Sequence, residues 1–107
     1  MKVGIKSEVT PKNLHIFAAV VNVGMMLGLP EVVITSGTDS VHKVGSLHYT
    51  GNALDIRTFI YRPEMVGRII GSLQVWLGND YEVILEKDHI HIEYDPKHEN
   101  HDNPKIA

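Results

Sequence analysis

The chain has 107 residues, enough for one domain with a single core, and 43% of them are apolar against 21% charged, the balance of a globular protein rather than a disordered one. A formal net charge of −3 lacks the basic footprint of a protein that grips phosphate backbones, so nucleic acid is not an expected partner. Cysteine is absent, which excludes disulfides, thiolate metal sites and cysteine nucleophiles, and leaves His, Asp and Glu to hold any metal.

The N-terminal Met1-Lys2-Val3-Gly4-Ile5-Lys6 reads as a weak strand, with no signal peptide evident. Thr10 followed by Pro11 marks a helix start, since threonine can cap free backbone N–H groups and proline has none to lose at the first position. Leu14, Phe17, Ala18, Val21 and Met25 then recur at helical spacing, an apolar stripe that ends near Gly28 and Pro30. The apolar stretch Ile16 to Leu29 is broken by Asn22 and falls short of the ~20 residues that cross a bilayer, so it reads as a core helix and no membrane insertion is expected.

Val32 to Thr35 is a β-branched strand, and the polar, glycine-bearing segment from Ser36 to Thr50 reads as a long loop, a length often tied to function. Ala53 to Thr58 alternates, with Leu54 and Ile56 on one side and Asp55 and Arg57 on the other. Pro63 opens a second helix with Met65, Val66, Ile69, Ile70, Leu73, Trp76 and Leu77 on one face, ended by Gly78-Asn79-Asp80. Met25, Met26 and Trp76 are read as core filler. Tyr81 to Leu85 and His89 to Tyr94 form a hairpin across the polar link Glu86-Lys87-Asp88. The expected architecture is α+β: a small antiparallel sheet with two main helices in a single domain spanning 1–107, with 100–107 as a flexible tail.

Chemistry concentrates on the polar sides of two strands. In the last strand His89, His91 and Glu93 share one face and Ile90, Ile92 and Tyr94 the other, while Asp55 projects away from Leu54 and Ile56. His48, seven residues before Asp55, can fold back from the loop as a third ligand. Two imidazoles and one carboxylate suit a single zinc ion, and three protein ligands leave the fourth position open for catalysis. The same ligand types form the facial triad of non-haem iron oxygenases, but there the first two ligands usually stand two residues apart rather than seven. A hydrolytic site also needs a base; Asp88 is the best placed carboxylate provided the chain turns before the strand begins, with Glu86 as fallback. Glu93 reads as a carboxylate that supports a ligand or faces solvent.

Ser46-Leu47-His48-Tyr49-Thr50-Gly51-Asn52-Ala53-Leu54-Asp55 matches Ser-x-His-x-x-Gly-x-Ala-x-Asp, and Asp88-His89-Ile90-His91 matches a later Asp/Glu-x-x-His segment. Together they resemble the zinc D-alanyl-D-alanine carboxypeptidase and L-alanyl-D-glutamate endopeptidase family, which includes phage endolysins and shares its fold with the hedgehog signalling domain. The resemblance covers Val32 to Asp95 and implies His48, Asp55 and His91 as zinc ligands, Asp88 as catalytic acid/base, and Ser46 and His89 lining the site. It further implies that Gly51 permits a tight backbone path between ligands and that small Ala53 leaves room beside the metal. The implied activity is hydrolysis of a peptidoglycan stem-peptide amide by a monomer, cytoplasmic on synthesis and acting at the cell wall after phage-type release. The alternative is a non-catalytic, zinc-stabilised binding module of the same fold. One departure is visible: family members carry an arginine soon after Thr-Ser-Gly, whereas Thr35-Ser36-Gly37 is followed by Thr38-Asp39-Ser40 and no arginine occurs before Arg57. Either Arg57, Lys43 or His42 takes its place, or the substrate differs, or activity is weaker.

Overall fold

The computed structural model of the protein describes residues 1–36 and 53–96. Their elements run β1 (Lys2–Ile5), α1 (Leu14–Leu27), β2 (Glu31–Ser36), β3 (Ala53–Arg57), α2 (Pro63–Leu77), β4 (Tyr81–Glu86) and β5 (His89–Tyr94). The strands form one sheet in the order β1-β2-β3-β5-β4. The fold is α+β, but the sheet is mixed: β1 pairs parallel to β2, and every other pairing is antiparallel. Helix α1 is the crossover that a parallel β1–β2 pair requires.

Alternation sorts the sheet into two faces. Val32, Ile34, Leu54, Ile56, Val83, Ile90 and Ile92 form one buried core with Ile16, Val20 and Val23 of α1 and Ile69, Leu73 and Leu77 of α2. Both helices therefore lie against the same side of the sheet. Among the described residues no helix is long and apolar enough to cross a membrane.

Helix α1 departs from the sequence expectation at both its start and its buried side. Residues Pro11 to Asn13 form a turn, and the helix begins at Leu14 with Asn13 in the cap position. Asn13 is buried, and its side chain serves the preceding turn: Oδ1 accepts from the Thr10 backbone N–H (2.8 Å) and Nδ2 donates to the Glu8 carbonyl (3.2 Å). Thr10 is thus not the cap. The buried stripe is Ile16, Ala19, Val20, Val23 and Gly24, whereas Leu14 and Met25 are 53% and 62% exposed. Apolar side chains surround most of this helix, so periodicity alone allows more than one stripe. Packing favours the side with Gly24, where an added Cβ would stand 3.2 Å from Val32 Cγ2 and 2.6 Å from Met1 Sδ. The end matches expectation: Gly28 takes a left-handed φ of 70°, and the N–H groups of Gly28 and Leu29 donate to Met25 and Gly24 carbonyls in a Schellman close.

Helix α2 starts at Pro63 as expected and buries Val66, Ile69, Leu73 and Leu77, with Met65 and Ile70 packed at the core's edge. Trp76, Met25 and Met26, read from the sequence as core filler, are exposed. Tyr61, in the β3–α2 connection, donates from its hydroxyl to the Glu31 carbonyl (2.6 Å) and so ties that connection to the start of β2. Burial and the nearby Glu31 carboxylate push the Tyr61 pKa up to about 12.

Candidate metal centre

The face of the sheet turned away from the helices carries the candidate chemistry. Asp55 on β3 and His91 on β5 are direct partners in the antiparallel register, and Arg57 pairs with His89 in the same ladder. Facing residues on adjacent strands have Cβ atoms about 5 Å apart, so their side chains meet without help from a loop. His91 Nδ1 donates to Asp55 Oδ1 at 2.7 Å, with the two residues only 3% and 4% exposed. A buried carboxylate and a buried imidazole in such contact stabilise each other against the cost of leaving water.

The network extends along β5 in both directions. His91 Nε2 donates to Glu93 Oε1 at 2.9 Å. His89 Nε2 lies 3.4 Å from Asp55 Oδ2 and donates to Glu86 Oε1 at 3.2 Å, and His89 Nδ1 donates to Asp88 Oδ1 at 3.2 Å. Burial lowers the His91 pKa, but the hydrogen bonds and negative charge of Asp55 and Glu93 outweigh it and raise the value to about 9. His89 is raised in the same way, with burial opposed by Asp88, Asp55 and Glu86.

The link between β4 and β5 is shorter than the sequence reading: β4 runs through Glu86 and a two-residue turn, Lys87-Asp88, joins it to His89. Lys87 takes a φ of 41°, which bends the chain before β5 begins, and the Asp88 carbonyl is held by the Thr58 N–H at 3.0 Å. The turn needed to bring Asp88 round is therefore present. Its carboxylate is exposed at the turn and meets His89, whose hydrogen bond is the main influence lowering its pKa. Asp88 is consequently an anion at neutral pH, the form a base requires, and it is joined to Asp55 through the His89 ring.

Of the predicted residues, the structure brings Asp55, His91, His89 and Asp88 into one connected group. His48 and Ser46 lie outside the described residues, as do Gly51, Lys43, His42 and the tail from residue 100. Ala53 faces Glu93 across the β3–β5 ladder and is buried. Arg57 stands on the same face as Asp55, opposite His89, with its guanidinium 5.9 Å from the centre of the Phe59 ring. Glu93 and Glu86 are the members the sequence undervalued. Strand parity placed Glu93 beside His91, but only the side-chain geometry shows that it bonds the ring.

Zinc takes nitrogen and oxygen donors of this kind, so the Asp55 and His91 pair fits the metal in chemistry, burial and convergence. Tetrahedral zinc with bonds of about 2.0–2.1 Å holds neighbouring donors about 3.3 Å apart, so the 2.7 Å hydrogen bond would have to open slightly. Among the described residues no group of three His, Asp or Glu side chains is arranged to hold a metal ion, and the third ligand expected from the sequence, His48, lies outside them. Comparison with family models, curated proteins and solved structures finds no match for this chain.

Proposed function

We propose that the protein is a zinc-dependent peptidase that hydrolyses an amide bond in peptidoglycan stem peptides, as an endolysin-type L-Ala-D-Glu endopeptidase or a D-Ala-D-Ala carboxypeptidase. The observation that carries this reading is the buried Asp55–His91 pair, set in direct register across β3 and β5, which is the convergence the double motif requires of its second and third ligands. Asp55, His91 and His48 are the proposed ligands, in a fold of the hedgehog/DD-peptidase type. Zinc, when bound, supplies a Lewis acid that polarises a carbonyl and acidifies water.

The chain's own residues do the rest of the proposed work. Asp88, held as an anion by His89, takes the proton from the attacking water as the new C–O bond forms, then returns it to the leaving nitrogen as the C–N bond breaks. His89 orients that carboxylate through Nδ1 while its other nitrogen faces Asp55. Ser46 and His89 line the substrate path, and Arg57 supplies a cation on the same face for a substrate carboxylate. The proposed partner is a peptidoglycan peptide, met by a monomer at the cell wall after phage-type release.

Digestion of purified peptidoglycan with zinc-loaded protein, followed by mass spectrometry, tests the proposal: new amine termini at one stem-peptide bond are expected, and their absence would sink it. The exposure of the Asp88 carboxylate, 72% for its side chain, favours a second reading, a non-catalytic zinc-stabilised binding module. That module would keep its whole function in Asp88→Ala.

A further inference from the structure

A neutral imidazole offers a lone pair from only one of its two nitrogens, so a metal site built on histidine must settle which ring atom keeps the proton. For His91 the surroundings differ at the two ends of the ring. Nδ1 is turned toward Asp55 Oδ1, and Nε2 is bound at 2.9 Å by Glu93 Oε1, with the Glu93 side chain only 16% exposed. Both residues belong to β5, an interior strand hydrogen-bonded to β3 on one side and β4 on the other, so their backbones are fixed relative to each other. Across the ladders Glu93 faces Ala53, whose methyl leaves it room, and Glu82.

We propose that Glu93 is a positioning residue that holds the proton on His91 Nε2, orients the ring and so presents Nδ1 as the nitrogen that binds zinc alongside Asp55. The inference rests on the zinc reading above and adds a residue that lies outside the double motif. Glu93 does not touch substrate in this account; it acts through His91.

The test uses the full chain and its Glu93→Ala and Glu93→Gln variants. Long-range proton–nitrogen NMR of zinc-loaded, ¹⁵N-histidine-labelled protein identifies the metal-bound nitrogen, and competition with a chromophoric chelator gives zinc affinity. The wild type should show His91 bound through Nδ1 with a proton on Nε2. Glu93→Ala should weaken zinc by about 10–100-fold, the usual cost of losing a residue that orients a ligand. Glu93→Gln should recover most of that loss, because an amide oxygen accepts the same hydrogen bond. The zinc-free circular dichroism spectra should superimpose. Coordination through Nε2, or a zinc affinity in Glu93→Ala within about twofold of a wild type that does bind zinc, would overturn the role of Glu93 and leave the zinc reading standing. A wild type that binds no zinc would overturn both.

Discussion

The two faces of the sheet are cut from the same strands and obey opposite rules. On one, Leu54, Ile56, Ile90 and Ile92 are sealed under two helices and contribute to stability through apolar burial. On the other, one residue along in each case, His91 is hydrogen-bonded to Asp55 and Glu93, and His89 lies against the second Asp55 oxygen. The comparison shows how a short chain can afford a polar, partly buried cluster: the core half anchors the strand backbones, and alternation then places Asp55 and His91, the two strand-borne ligand candidates, without a dedicated scaffold. It also shows why the cluster is demanding. A one-residue slip between β3 and β5 would send Asp55 into the core and Leu54 onto the polar face.

Substitutions on each face should break this comparison in different ways. The largest expected effect is on turnover: Asp88→Ala should keep fold and zinc yet reduce kcat on muropeptides by about a hundred- to ten-thousand-fold, as removal of a general base does. Elemental analysis alongside a product assay checks both halves, and unchanged turnover would move the protein to the binding-module reading. On the apolar face, Leu54→Ala should lower unfolding free energy by about 2–5 kcal/mol in urea denaturation of the zinc-free protein, since Leu54 is fully buried.

Tyr61 sharpens the same contrast through pH. Its pKa is raised from 10.0 to about 12 in the fold, so the stability it contributes is fully present below pH 10 and is lost as pH rises toward 12. Tyr61→Phe should cost about 1 kcal/mol below pH 10, from the lost hydrogen bond to Glu31, and should remove that part of the alkaline decline. Denaturation midpoints measured across this range provide the check. The smallest effect belongs to Leu14→Ala, expected within about 0.5 kcal/mol of wild type because the side chain faces solvent. A loss as large as that of Leu54→Ala would restore the stripe read from periodicity.

Much of this division was legible in the sequence, where alternation is strict. Ala53 to Arg57 and His89 to Tyr94 revealed their polar faces directly, and Pro63 and Gly28 marked helix ends through their own backbone restrictions. Helix α1 was harder because it is apolar nearly all round, so the choice between the Leu14–Met25 side and the Ile16–Val23 side depended on which one lets the helix lie close to β2. The parallel pairing of β1 is a long-range choice that four residues of strand do not announce. The part played by Glu93 needed side-chain positions, since parity gives the face and not the bond.

Isothermal titration of zinc into the metal-free chain, repeated with Asp55→Ala and His91→Ala, tests the central claim most directly. The account predicts one zinc per chain for the wild type and loss of that site in both variants. A wild type that takes up no zinc, or variants that bind it as tightly, would contradict it.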